Sequence, residues 1–201
     1  MQKFTPEQFV TMPWKNGGGS STQIAVYPPG ANHSGFEWRI STARVESAGP
    51  FSLFAGFDRS LAIVEGNGIA LAIDSLHATI LSADTRPFAF RGEQQVHASL
   101  LDGPVVDLNI FTRRSSWTHT LEKLEFSGTL QCGMQADLIF IYNARGAGVH
   151  CRTLAGRELD CGSGEAVLID SSDGDHVALS APTTATLYIA RLTEKHHADN
   201  Q

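Results

Sequence analysis

No apolar run in this chain approaches the roughly 18–20 residues that cross a bilayer. The stretch from Met1 to Val10 also lacks the apolar core of a secretion signal. Both absences point to a cytoplasmic chain without a membrane partner. Cysteine is scarce. Cys132, Cys151 and Cys161 form an odd set without C-x-x-C spacing, which argues against a disulfide framework or a thiolate zinc site and fits a reduced compartment. Basic clusters are missing too. Fifteen Lys and Arg against 21 Asp and Glu leave a net charge of −6, and the one basic doublet is Arg113-Arg114. Nucleic acid, which is held by clustered cations, is thereby set aside as the main partner.

Catalytic signatures are equally thin. The eight histidines include no His-x-His pair, the usual start of a metal site in a β-barrel. No G-x-S-x-G elbow occurs. Glu93, Asp107, Asp58 and His97 are acid–base candidates by residue type, but no spacing selects them. The sequence therefore assigns no catalytic residue, no metal ligand and no cofactor, and leans away from an enzyme.

What the chain does have is many short strand-like runs between turns. Phe36 to Ala43 alternates apolar and polar residues with the period of a half-buried strand. Leu61–Val64 and Ile69–Ile73 flank Glu65-Gly66-Asn67-Gly68, which reads as a hairpin. Further runs lie at Ser20–Tyr27, Phe88–Phe90, Val105–Thr112, Leu138–Tyr142, Ala166–Ile169 and Ala185–Leu192. Such spacing indicates an all-β sandwich or barrel. The 42% apolar content supplies a core for one large domain or two small fused ones. A weak repeat supports two. A shift of 78 residues lays Ile63 on Ile141, Gly68 on Gly146, Phe90 on Leu168 and Arg113 on Arg191. If the repeat holds, two similar barrels lie side by side.

Strand period also sorts polar groups by face. In Val105–Arg113 the odd positions carry Asp107, Asn109 and Arg113, interrupted by Phe111. The same count sets Glu37, Arg39 and Ser41 opposite Trp38 and Ile40. Such faces meet water in a sandwich, or line a pocket in a small barrel. Asp107 and Asn109 are poor strand formers and need a local cause. Asp58-Arg59 precedes the apolar run at Leu61, where a turn would present both at a barrel mouth. If Arg39, Arg59, Arg113 and Asn109 converge, they suit a small anion bearing an amide, because guanidinium forks match carboxylates and asparagine reads amides.

Trp14-Lys15-Asn16-Gly17-Gly18-Gly19 resembles a phosphate cradle at first sight. However, a Walker-type loop needs Lys-Ser or Lys-Thr after the last glycine, and here a strand follows. Three segments together are more telling. The glycine stretch with Gln23-Ile24, Phe36-Glu37-Trp38-Arg39-Ile40-Ser41, and Gly49-Pro50-Phe51-Ser52 through Gly56-Phe57-Asp58-Arg59 resemble the HutD/Ves family. Pro87-Phe88-Ala89-Phe90, Asp102-Gly103-Pro104, Asp107-Leu108-Asn109 and Thr112-Arg113-Arg114 continue the likeness in the same order.

The resemblance implies a bicupin, two cupin-like jelly-roll β-barrels in one unit over residues 1–195. The halves fall at about 1–116 and 117–195, before a polar tail at 196–201. The family lacks the usual cupin metal ligands. Its HutD-type members are linked to histidine utilisation and are thought to limit that pathway by sensing an intermediate. The expected ligand is urocanate or a formyl- or formimino-glutamate. Ves-type members are linked to stress and interaction roles, and a metal-poor hydrolase or isomerase is a third reading. Candidate ligand contacts are Lys15, Asn16, Trp38, Arg39, Ser41, Asp58, Arg59, Glu93, Asp107, Asn109 and Arg113. The expected partner is a small anionic metabolite, and a homodimer is compatible with the pattern. The chain departs from the family at Gln23, where Glu is common, and at Ile110-Phe111, where Val/Ile-Met is usual. The first bears on a pocket hydrogen bond; the second reads as packing.

Overall fold

The computed structural model describes residues 1–32, 35–74 and 77–196. Apart from single-turn helices at Pro6–Gln8 and Ser171–Asp173, its regular structure is all strand, and no helix among the described residues is long and apolar enough to cross a membrane. The chain divides into two compact units.

The first unit spans Phe9–Ser116. With β1 at Gln2–Phe4, its strands in chain order are β2 (Val10–Pro13), β3 (Gly19–Tyr27), β4 (Trp38–Val45), β5 (Gly49–Pro50), β6 (Phe57–Glu65), β7 (Ile69–Ile73), β8 (Thr79–Leu81), β9 (Phe88–Arg91), β10 (Val96–Leu100) and β11 (Val105–Arg113). They form a six-stranded antiparallel sheet, β2-β3-β4-β11-β6-β9, and a four-stranded sheet, β5-β10-β7-β8. A core of Val45, Leu61, Ile63, Ile69, Leu71, Val96 and Val105 joins residues from both sheets.

The run read as a hairpin is not one. β6 pairs with β11 and β9, whereas β7 pairs with β10 and β8, so Glu65–Gly68 carries the chain between sheets. Its glycines serve close approach. A Cβ on Gly66 would stand 2.5 Å from the Pro104 carbonyl oxygen, and one on Gly68 would stand 2.3 Å from that of Leu81.

The second unit comprises Met1–Gln8 and the chain from Trp117 onward. It holds β1, β12 (Trp117–Gly133), β13 (Leu138–Gly146), β14 (Val149–Thr153), β15 (Glu158–Cys161), β16 (Ala166–Asp170) and β17 (His176–Glu194) in one seven-stranded sheet. The first eight residues, read from sequence as part of the first half, belong here because β1 pairs with β16. The α-amino group of Met1 lies 2.6 Å from buried Asp173. All three cysteines are free and buried, and burial pushes the Cys151 and Cys161 thiols up to about 12. Of the polar tail, His196 is exposed and residues 197–201 lie outside the described residues.

A similar ladder recurs in each unit, at an offset of 80 residues rather than the 78 read from sequence. Leu61 of β6 pairs with Asn109 of β11 as Ile141 of β13 pairs with Ile189 of β17. Likewise, Gly66 lies against the Pro104 carbonyl as Gly146 lies against that of Thr184.

Candidate functional site

The first unit contains a cavity of about 860 Å³. One wall is the odd-numbered face of β4 and β11, and strand register places its side chains in rows. Arg39, Phe111 and Arg59 stand side by side on β4, β11 and β6, with Phe90 next across. The adjoining row is Gln23, Ser41, Asn109 and Leu61, and the third is Ser21, Ala43, Asp107 and Ile63. Up to β11 each row carries polar side chains, broken by Phe111 in the first and Ala43 in the third. At β6 the last two rows turn apolar and merge with the core.

Arg59 is 5% exposed and held from two sides. One nitrogen donates to the Ser52 carbonyl at 3.3 Å and another to Asn109 Oδ1 at 3.2 Å. Asn109 in turn donates to Asp107 Oδ1 at 2.6 Å. The Arg59 guanidinium lies 4.5–5.5 Å from the rings of Phe111, Phe90, Phe51 and Phe54. Arg39 leans on Phe111 from the other side of the row, at 4.6 Å, and on Phe36 at 4.8 Å. These aromatic faces compensate part of the lost hydration.

Compensation is incomplete. Burial holds both arginines down to about 10, with Asp107 pulling Arg59 back up and Arg39 pushing it further down. Arg59 Nε has no hydrogen-bond partner among the described residues. The Asp107 carboxyl, 1% exposed, is raised to about 7 by burial, against the opposing pull of Arg59, Asn109 and the Ala43 N–H.

The glycine stretch is the turn between β2 and β3. Trp14 N–H donates to the Gly19 carbonyl at 2.9 Å, Gly17 N–H to that of Trp14 at 3.0 Å, and the Trp14 indole to Ser21 at 2.8 Å. A Cβ on Gly19 would stand 2.1 Å from the Arg44 carbonyl, so this position requires glycine. The turn brings Lys15 and Asn16 to the cavity, and the loop after β5 brings Phe51, Ser52 and Phe54.

Seven of the eleven residues picked from sequence thus meet at one cavity: Lys15, Asn16, Arg39, Ser41, Arg59, Asp107 and Asn109. Four lie elsewhere. Trp38 is on the even face of β4, stacked on Tyr27 at 5.8 Å. Asp58 and Glu93 are both claimed by Arg114, at 2.8 and 2.7 Å. Arg113 ends β11 and pairs with Glu37 at 2.9 Å, which also removes Glu37 from the polar face of β4. Sequence reading missed the aromatic lining of Trp14, Phe51 and Phe54. Phe111, read as packing, is the middle of the arginine row. The signal was its odd number, shared with Asp107 and Asn109. His97 faces outward on β10. Among the described residues, no three His, Cys, Asp or Glu side chains are grouped to hold a metal.

Two barrel-like β units, one of them hollowed beside the buried Arg59 guanidinium, define a cupin-like all-β protein. The chain belongs to the HutD family, whose match covers residues 6–189. A 21.2 kDa protein of the hutC 3′ region of Pseudomonas putida is 34% identical over 161 residues, 79% of this chain and 80% of that one. The protein Ves of Escherichia fergusonii is 39% identical over 105 residues, spanning 51% of this chain and 53% of that protein. HutD from Pseudomonas fluorescens SBW25, solved in a formate condition, has a TM-score of 0.80 at 28% identity, covering 97% of this chain and 99% of that one. Oxalate decarboxylase from Lactobacillus farciminis has a TM-score of 0.70 at 9% identity over 96% of this chain and 86% of its own, a likeness of fold alone.

Proposed function

We propose that this chain is a non-enzymatic, cytoplasmic carboxylate-binding protein that senses an intermediate of histidine breakdown and so modulates histidine utilisation. The observation that carries the reading is the Arg39–Phe111–Arg59 row: one buried and one half-buried guanidinium on one aromatic floor beside a cavity, with an Arg59 nitrogen left unbonded. Burying a cation this way costs stability unless an anion offsets it. A carboxylate accepting from the forks restores charge-assisted hydrogen bonds. Lys15 at the turn adds attraction, and Asn16, Asn109 and Ser41 supply donors and acceptors for an amide or imine group on the same ligand. N-Formylglutamate, formiminoglutamate and urocanate have this composition. The relationship to HutD proteins and to a hut-region protein supports histidine breakdown as the setting.

Binding to the native state raises stability by about 2.7 kcal/mol when ligand stands at a hundred times Kd. Thermal denaturation with each of the three compounds at millimolar concentration is therefore expected to show an upward shift with at least one. No shift with any of them overturns the proposal. A catalytic reading has one observation in its favour, the near-neutral Asp107 carboxyl facing the cavity. Turnover of any of the three compounds by purified protein would move the assignment to an enzyme.

A further inference from the structure

Asp107 is the one acid among the described residues that line the cavity. The sheet holds it in place. Ala43 of β4 lies on one side, apolar Ile63 of β6 on the other, and Asn109 two positions along its own strand. Its contact with the cations is indirect: Asn109 donates to it with Nδ2 and accepts from Arg59 with Oδ1. The charged groups that share the cavity with it are Arg59 of β6, Arg39 of β4 and Lys15 of the β2–β3 turn, all cationic. Before any ligand arrives, Asp107 is therefore the internal counter-ion of the site.

Building on the carboxylate reading above, we infer that the cavity takes up a carboxylate together with one proton, and that Asp107 is the residue that receives it. A ligand carboxylate on Arg59 replaces Asp107 as the counter-ion. Two carboxylates then share a desolvated site, and the buried one, whose cation is already engaged, is the one to gain the proton. As a neutral acid it still accepts from Asn109, and its O–H gives the cavity a donor. A carboxyl already raised to about 7 in the empty site needs little further shift to do this near neutral pH. Arg39 and Arg59, held down to about 10, keep their charge through pH 8.5.

The sign follows from linkage. Binding that takes up a proton strengthens as pH falls, so affinity is steady below about pH 7 and weakens by up to about tenfold per pH unit above it. Asp107 thereby sets specificity as well. The site favours anions without a strong positive charge near the acid, because a cation there would keep Asp107 ionised and cancel the coupling.

Isothermal titration calorimetry with N-formylglutamate, whose carboxylates stay ionised above about pH 6, tests this from pH 6 to 8.5. Each titration is run in two buffers of different ionisation enthalpy, so that protons are counted directly. Wild type is expected to take up little at pH 6 and a fraction of a proton from about pH 7 upward, greatest between the pKa values of the free and the liganded acid. Asp107→Asn, which keeps an acceptor for Asn109, is expected to bind with no proton uptake and to hold the low-pH affinity throughout. Wild-type binding that is flat with pH and releases or takes up no proton overturns the coupling while leaving the carboxylate site standing. No binding at any pH overturns the carboxylate site and the coupling with it. The wild-type proton count decides the matter even if the variant does not fold.

Discussion

Replacing Asp107 by asparagine should stabilise the unliganded protein at neutral pH, although it alters a buried hydrogen-bonded residue. The native carboxyl is raised from 3.8 to about 7, chiefly by burial. In the unfolded chain the same group titrates near 4. From about pH 4 to about pH 7 the unfolded state has released its proton and the folded state keeps it. The folded state then binds more protons, so stability falls as pH rises, and the loss levels off above about 7. Three pKa units at about 1.4 kcal/mol each amount to about 4 kcal/mol. Asparagine carries no charge to desolvate. It can still accept from Asn109 but cannot also accept at its amide nitrogen, which forfeits about 1 kcal/mol. The variant should therefore be less stable than wild type by about 1 kcal/mol near pH 4 and more stable by about 3 kcal/mol at pH 8. Urea denaturation of both proteins at half-unit steps from pH 4 to 8.5 gives the difference curve directly, and shared titrations cancel in it. A difference that stays constant with pH, or a variant less stable at pH 8, would refute the assignment of a buried, proton-holding acid.

Arg59→Met should leave stability within about 1 kcal/mol of wild type, since a buried charge is exchanged for an apolar chain of similar length. The same variant should weaken N-formylglutamate binding by at least about thirtyfold in calorimetry, and Arg59→Lys should fail to restore it because an ammonium has no fork. In the β2–β3 turn, Gly17→Ala faces open space at φ 71° and should cost about 1–2 kcal/mol, whereas Gly19→Ala drives a Cβ into the Arg44 carbonyl and should cost about 3 kcal/mol or more. Equal melting temperatures for the two alanine variants would sink that distinction. Ile189→Asn, at the position in the second unit that corresponds to Asn109, should cost about 3–5 kcal/mol in denaturation and leave ligand affinity unchanged.

Local pattern made much of this protein legible. The run Val105–Thr112 became a strand one residue longer, and its odd positions did bring Asp107 and Asn109 to one face, because side-chain direction along a strand is a local property. The face of β4 carrying Arg39 and Ser41 followed from the same count. Partner choice was not legible. The glycine-rich Glu65–Gly68 looks like a hairpin loop from its own composition, yet which strands β6 and β7 pair with is fixed by residues far along the chain. Charged residues near a strand end were harder still. Asp58 immediately precedes Arg59, but their directions differ by half a period, and Arg114 offers Asp58 and Glu93 a bidentate partner outside the cavity. The aromatic lining escaped notice because phenylalanine in a β protein is nearly always core. Here Phe51, Phe54 and Phe111 are both core and floor for a guanidinium.

Laying one ladder on the other shows which side chains hollow the first unit and fill the second. Carried over by 80 residues, Arg59 becomes Ile139, Asp107 becomes Leu187 and Asn109 becomes Ile189, all of them fully or almost fully buried in the apolar core of the second unit. Phe111 becomes Arg191, whose guanidinium turns to Glu122 and Cys132 instead of a cavity. The same backbone ladder thus supports either a filled barrel or a hollowed one, depending on a few side chains. Filling gains apolar burial at each position. Hollowing forgoes that gain and adds the desolvation of two guanidiniums and a carboxyl. A single domain of marginal stability bears such a deficit poorly. The arginine row is therefore a cost that the first unit's own apolar core must carry, rather than part of what holds that unit together.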